Sequence, residues 1–314
     1  MEMERRTFPG RDGEEISYQI WWDPEATEHT AMLQIVHGYA EWTDRYDAFA
    51  RLLADEGFVV FGEDHRGHGH TRKTEQPVIH FADEDGFETV VDDIHLLTQL
   101  MRESFPDLPL FMMGHSLGSF LGRRYIEEYG QALDGIILEG TGNYSMPKML
   151  MAAKLAMGHI KKYGADAPDP MVEKIVFGSM NKGYPNSETG LDWLSSDKEL
   201  VRAYYESPMR GQTATGAFFR DFLLGMVTLQ TREEIDRIPK GLPVLFLSGE
   251  KDPVGGKRAS GVRKACRDMR SLGMTDVQLK IYSGARHELI NETESIRRVV
   301  AADILRWMRN RMAK

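Results

Sequence analysis

The chain has 314 residues, 41% of them hydrophobic and 28% charged, with a formal net charge of -9. A chain of this size holds about two domains, or one large α/β domain with an insertion, and either buries a substantial core. The acidic balance, with no basic stripe interleaved with aromatics, excludes a nucleic-acid partner, and no run approaches the ~20 apolar residues of a membrane span.

Residues 1–6, Met-Glu-Met-Glu-Arg-Arg, lack the apolar core of a secretory signal. The one cysteine, Cys266, allows no internal disulfide. Both observations lead to a cytoplasmic location as the expectation. Cys266 sits in Arg263-Lys264-Ala265-Cys266-Arg267, which reads as ordinary helix and not as a catalytic thiol, since no histidine pattern accompanies it.

In chain order, residues 15–22 alternate as an early antiparallel strand does. Short apolar runs at 32–36, 58–61, 110–113, 136–138, 244–247 and 277–282 read as buried strands. Between them, 46–56, 88–104, 117–129, 257–272 and 293–312 carry helical periodicity. The alternation predicts an α/β fold, a mostly parallel sheet covered by helices on both faces. It breaks once. From about 144 to 234 no strand pattern occurs, and Met146, Leu150, Ala153, Met157 and Ile160 recur along one helical face. The expected organisation is therefore a core of residues 1–143 and 236–314 with a helical cap, or lid, inserted at 144–235.

In parallel α/β sheets, ligands sit at the carboxyl ends of the strands. Four motifs stand there. His37-Gly38-Tyr39 follows one strand, Gly114-His115-Ser116-Leu117-Gly118 the next, then Gly249-Glu250-Lys251-Asp252 and Gly284-Ala285-Arg286-His287. The pentapeptide has the pattern of a nucleophile elbow, in which a sharp strand-to-helix turn exposes a serine hydroxyl. The two glycines are needed there because a side chain would collide with the neighbouring helix and strand. Gly-x-Ser-x-Gly alone is only moderately specific, so its position after a strand carries the weight. The chain order serine, acid, histidine is that of an α/β-hydrolase and of neither common serine-protease order.

With His37-Gly38-Tyr39-Ala40-Glu41, Arg45-Tyr46, Asp64-His65-Arg66-Gly67-His68-Gly69, the elbow, the Asp252 loop and the His287-Glu288 loop together, nearly the whole chain resembles an α/β-hydrolase-fold serine hydrolase. The likeness is to the monoacylglycerol lipase and lysophospholipase group, with serine aminopeptidase S33-like proteins. It departs from that pattern at Trp42, where the group usually has histidine, and at His70-Thr71. The resemblance implies Ser116 as nucleophile, His287 as base and Asp252 as the acid that orients it. Glu250 and Asp236 compete for the acid's place, but Glu250 comes earlier in its turn than the family's acid and Asp236 precedes the strand. The backbone N–H groups of Tyr39 and Leu117 are the implied oxyanion donors. No cofactor and no metal are implied.

These residue types suit the chemistry. A serine hydroxyl is a poor nucleophile at neutral pH until an imidazole accepts its proton, and a carboxylate fixes the imidazole's tautomer. His65, His68 and His70 suggest zinc, yet no completing ligand stands at a recognised spacing. His115 reads as elbow packing, and Glu41 and Glu288 as supports for neighbouring loops. Gly255-Gly256-Lys257 lacks the spacing of a phosphate loop.

Met146, Met149, Met151, Met157, Met171, Met180, Met209 and Met226, with Phe177, Phe218, Phe219 and Phe222, make the expected cap apolar. Flexible methionines suit an acyl-chain channel, although such stripes are more often core filling. The leading expectation is hydrolysis of single-chain acyl esters through an acyl-enzyme, with a small-molecule substrate and transient contact with lipid surfaces. A proline-iminopeptidase-like aminopeptidase is the second reading, with Glu173, Glu199 and Glu206 as candidates to hold an ammonium group. A non-catalytic ligand-binding scaffold is the third.

Overall fold

The computed structural model describes residues 2–72, 78–211 and 213–312. Its strands are β1 (Glu2–Pro9), β2 (Glu15–Trp22), β3 (Ala31–Val36), β4 (Phe58–Glu63), β5 (Val78–Ile79), β6 (Leu110–His115), β7 (Gly135–Glu139), β8 (Thr213–Ala214), β9 (Val244–Gly249) and β10 (Val277–Tyr282). Eight form one sheet in the order β1-β2-β4-β3-β6-β7-β9-β10. The β1–β2 and β2–β4 pairs are antiparallel and all the others parallel.

The helices are α1 (Asp47–Asp55), α2 (Gly86–Ser104), α3 (Leu117–Tyr129), α4 (Met146–Tyr163), α5 (Pro170–Phe177), α6 (Lys198–Glu206), α7 (Gly216–Thr228), α8 (Arg232–Arg237), α9 (Ser260–Ser271) and α10 (Glu294–Met312). Every residue of β3, β4, β6, β7 and β9 is buried, as expected of parallel strands covered on both faces. Alternate side chains feed opposite faces. Leu110 and Met112 join the core under α2 and α3, while Phe111 and Met113 join the one under α1 and α10. At the start of β7, Gly135 admits the Trp307 indole of α10, because a Cβ there would lie 2.8 Å from the ring.

One strand left no signal in the sequence, and one expectation needs correction. The N-terminal residues form the edge strand β1, whose face is almost wholly exposed and so carries no apolar alternation to read. The stretch 144–234 is not free of strand: Thr213–Ala214 pairs with Val78–Ile79 in a separate two-stranded sheet. Two residues are too few to show a period of two. Otherwise the regular elements described between β7 and β9 are helices joined by loops, with Asp169, Asp197 and Thr215 accepting amide N–H groups in the first turns of α5, α6 and α7.

Candidate active site

Ser116 stands between β6 and α3 with φ 52° and ψ -117°, a backbone conformation that a side chain rarely adopts and that surrounding structure must enforce. Both flanking glycines are required by close approach. A Cβ on Gly114 would strike the Gly118 carbonyl, and one on Gly118 would strike the Val36 and His37 carbonyls at the end of β3. The Ser116 N–H donates to the Glu139 carbonyl of β7 at 2.9 Å, so three adjacent strands fix the turn.

His287 lies on the loop after β10 and is buried. Its Nδ1 is 2.9 Å from Asp252 Oδ1 on the loop after β9, and the same oxygen accepts the Val254 N–H at 2.8 Å. A carboxylate only accepts, so Nδ1 carries a proton, and in the neutral imidazole Nε2 holds the lone pair. That Nε2 is buried without a hydrogen-bond partner among the described residues. The competing acids lie elsewhere. Glu250 is tied to Ser283 and the Gly284 N–H, and Asp236 pairs with Lys240.

Ser116 lines two cavities. One, of about 190 Å³, is apolar and includes Leu117, Met149, Phe218, Phe222 and Met226. The other, of about 180 Å³, is polar and includes His287, Glu41, Glu173, Arg210 and Glu288. Tyr39, Ser116 and Phe177 belong to both. Leu117 opens α3, where an amide has no carbonyl of its own helix to donate to. Tyr39 stacks on Phe177 with centroids 4.7 Å apart and donates its hydroxyl to Glu173 at 2.8 Å. Burial, and then the Glu173 charge, push that phenol's pKa well above its ordinary value.

Beneath these cavities runs a charged network. Glu41 accepts the Gly38 N–H, the Tyr46 hydroxyl at 2.8 Å and Arg45 at 2.5 Å. Arg45 also clasps Glu288 in bidentate fashion at 2.9 and 2.6 Å. Burial opposes ionisation of Glu288, but the Arg45 guanidinium holds its pKa below the ordinary value. His115 lies 3.9 Å from Glu41 and 3.5 Å from Glu139. Although burial disfavours its cation, Glu41 and Glu139 raise its pKa to about 9. Its ring centroid is 4.8 Å from that of His287.

Ligand atoms of Glu41, His115 and Glu288 come within 4.8 Å of one another. Arg45 already bonds both carboxylates, and a cation would have to displace a cation; the group reads as an ion-pair network. His65 and His68, two of the three histidines that suggested zinc, are engaged in loop structure. The His65 N–H donates to His37 Nε2 at 2.9 Å, and His68 Nδ1 bonds the Arg66 carbonyl, with burial pressing the His68 pKa down to about 3.

Residues 27–294 match the family described as serine aminopeptidase, S33. The chain belongs to that family. Among its relatives, a monoacylglycerol lipase of Mycolicibacterium smegmatis is 29% identical over 309 residues, 96% of this chain and 95% of its own. A human monoglyceride lipase is 26% identical over 93% of this chain and 86% of its own. A carboxyl esterase from Bacillus coagulans, solved with glycerol, superposes with a TM-score of 0.87 at 26% identity, covering 99% of both chains. This S33-family member is a serine ester hydrolase of the α/β-hydrolase fold.

Of the methionines expected in a channel, Met149, Met180 and Met226 line the apolar cavity, whereas Met151, Met157 and Met171 point outward. Of the candidate ammonium holders, Glu173 lines the polar cavity, while Glu199 and Glu206 are exposed on α6. Cys266 is buried in α9. Sequence reading missed two contributors. The Trp193 ring packs tilted against His287 with centroids 4.8 Å apart, and Gly140, at φ 63°, passes so close that a Cβ would lie 2.7 Å from His287 Cε1. Neither belongs to a motif. Only a glycine directly after a buried strand, at a strand end, marked Gly140.

Proposed function

We propose that the protein hydrolyses single-chain acyl esters of the monoacylglycerol or lysophospholipid type through an acyl-enzyme on Ser116. The observation that carries this reading is the meeting of an apolar and a polar cavity at Ser116, Tyr39 and Phe177. The acyl chain lies in the apolar arm and the alcohol in the polar one. The names of the relatives and the glycerol in the Bacillus coagulans esterase support the same assignment.

Ser116 Oγ attacks the carbonyl carbon as His287 Nε2 takes its proton, and Asp252 steadies the imidazolium that forms. The Tyr39 and Leu117 N–H groups receive the charge developing on the carbonyl oxygen, each worth roughly 2.7–4 kcal/mol of barrier. Collapse breaks the ester C–O bond, and His287 returns its proton to the departing alcohol. Water, deprotonated by the same nitrogen, then frees the fatty acid and restores Ser116. Residues 144–235 act as a cap whose helices shield these charges from water.

The aminopeptidase reading needs a carboxylate free to bind an ammonium group. Those lining the polar arm are already engaged: Glu173 with Tyr39 and Thr213, and Glu41 and Glu288 with Arg45. Fluorophosphonate labelling tests the nucleophile, with wild type labelled and Ser116→Ala not; equal labelling overturns it. Turnover of a monoglyceride series with no turnover of aminoacyl anilides is expected, and the reverse result sinks the esterase reading.

A further inference from the structure

The loop that follows β3 carries the Tyr39 N–H, and its course is unusual. Ala40 has φ 60°, a left-handed conformation that costs a residue with a side chain energy and persists only where surrounding structure enforces it. On the sheet side the enforcement is partial. His37 Nδ1 lies 2.8 Å from the Gly38 carbonyl, which only accepts, so the ring N–H donates to it and turns the Tyr39 N–H of the same trans peptide the opposite way. Glu41 accepts the Gly38 N–H. Neither contact touches Ala40 or the Tyr39 side chain.

The rest of the hold comes from the segment inserted between β7 and β9. Glu173 of α5 accepts the Tyr39 hydroxyl at 2.8 Å, and its second oxygen accepts the Thr213 hydroxyl at 2.9 Å, so the carboxylate is fixed from both sides. Phe177, about one helical turn further on, stacks on the Tyr39 ring, and Phe218 of α7 packs tilted against it with centroids 5.5 Å apart. The Ala40 carbonyl accepts two donors, the Tyr204 hydroxyl from α6 and the Gly211 N–H, each at 3.2 Å. Glycine is needed for that approach, because a Cβ on Gly211 would lie 3.2 Å from Ala40 Cα and 2.6 Å from the Ile79 side chain. Tyr204 is buried and itself braced, with the Arg45 guanidinium 4.3 Å from its ring centroid and the Trp42 indole stacked alongside.

Glu173, Tyr204 and Gly211, from three parts of the inserted segment, thus converge on two consecutive residues of one loop, and the left-handed φ lies at their focus. We propose that Glu173, Tyr204 and Gly211 are positioning residues for the oxyanion hole, which is complete only while α5 and α6 are seated on Tyr39 and Ala40. The role in the reaction rests on the hydrolase reading above; the hold on the loop does not. Were the segment to lift, Ala40 would lose both donors to its carbonyl and relax toward an ordinary φ, carrying the Tyr39 N–H away from the place where the oxyanion develops. A displacement of about 1 Å is enough for a large loss of rate. An open segment therefore admits substrate without activating it, and Ser116 reacts only beneath a closed one.

The test is steady-state hydrolysis of p-nitrophenyl butyrate by the full chain and its variants. Glu173→Leu removes the acceptor and should lower kcat about tenfold with KM little changed, a part of the roughly 10²–10³ lost when an oxyanion donor is removed outright. Glu173→Gln keeps an oxygen that accepts the Tyr39 hydroxyl and should recover most of that rate. Tyr204→Phe keeps the ring and loses one of the two donors to Ala40, so a fall of about threefold is expected. A trifluoromethyl ketone of matched chain length, whose adduct on Ser116 carries an oxyanion, should lose affinity in step with kcat/KM. Independently of turnover, hydrogen–deuterium exchange over residues 37–43 should quicken in Glu173→Leu and not in Glu173→Gln. Equal losses in the Leu and Gln variants, a raised KM at unchanged kcat, or a lowered Tm at unchanged kcat would each overturn the positioning role. Faster exchange in Glu173→Leu with no ester turnover by wild type would leave the hold on the loop standing and remove the hydrolase reading.

Discussion

The strand ends of the sheet and the helices inserted between β7 and β9 enclose the same two cavities from opposite sides, and they are built on different terms. On the sheet side the backbone leaves no choice: Ser116 is held at φ 52°, and both Gly114 and Gly118 face carbonyl oxygens with no room for a Cβ. On the helical side the lining is Met149, Phe218, Phe222 and Met226, residues interchangeable with others of like volume. In the proposed mechanism the chemistry thus rests where geometry is over-determined, and substrate choice where it is permissive.

The comparison is broken most directly at Asp252. Asp252→Asn keeps the shape of the loop but lets the partner of His287 Nδ1 be a donor, which favours the wrong tautomer. A loss of about 10⁴ in kcat is expected, with KM and folding little changed. The neighbouring Glu250→Gln is the control, since that exposed side chain bonds only Ser283 and Gly284. Ester kinetics on both variants decide the matter; comparable rates for the two would remove Asp252 from its role.

Core and lining should respond to truncation in different currencies. Phe111, wholly buried between β3 and β7 and edge-on to Trp307, should cost roughly 3–5 kcal/mol of stability when changed to alanine, measured by denaturant unfolding. Phe222 is also buried but borders the apolar cavity. For Phe222→Ala the telling measurement is kcat/KM across an acyl series. Chains of different length should change rank by about tenfold, a difference of ~1–3 kcal/mol in pocket contact. A uniform fall across the series would make Phe222 a core residue only.

The same division decided what the sequence disclosed. Parallel strands buried on both faces leave continuous apolar runs, and ligand residues follow them directly, so Tyr39, Ser116, Asp252 and His287 stood out against strands that the structure places within a residue or two. The edge strand β1 is exposed and the two-residue β8 is too short, so neither left a period. Trp193, Tyr204 and Arg210 reach the polar cavity from the inserted segment, where nothing in the local pattern says which face turns inward. The Arg45 network was half legible. Its members stood in motifs, but the pairing of Arg45 with Glu288 spans 243 residues and is fixed only by tertiary structure.

That network separates the two regions in a final, gentler way, through pH. His115 has a folded pKa of about 9 against an ordinary 6.5, so its cation stabilises the native state fully below the ordinary value. That contribution is lost as pH rises through about 9. Glu288 runs the other way: its folded pKa is lowered, so its contribution is present above its ordinary 4.5 and disappears as pH falls below it. Wild type should therefore lose Tm between about pH 7 and 9 in excess of a His115→Asn variant, whose side chain carries no titrating charge. Parallel Tm curves for the two over that range would mean that His115 sits neutral between its carboxylates. A selective flattening in His115→Asn would locate the alkaline weakness on the sheet side of the cavity, under the elbow, and not in the inserted helices.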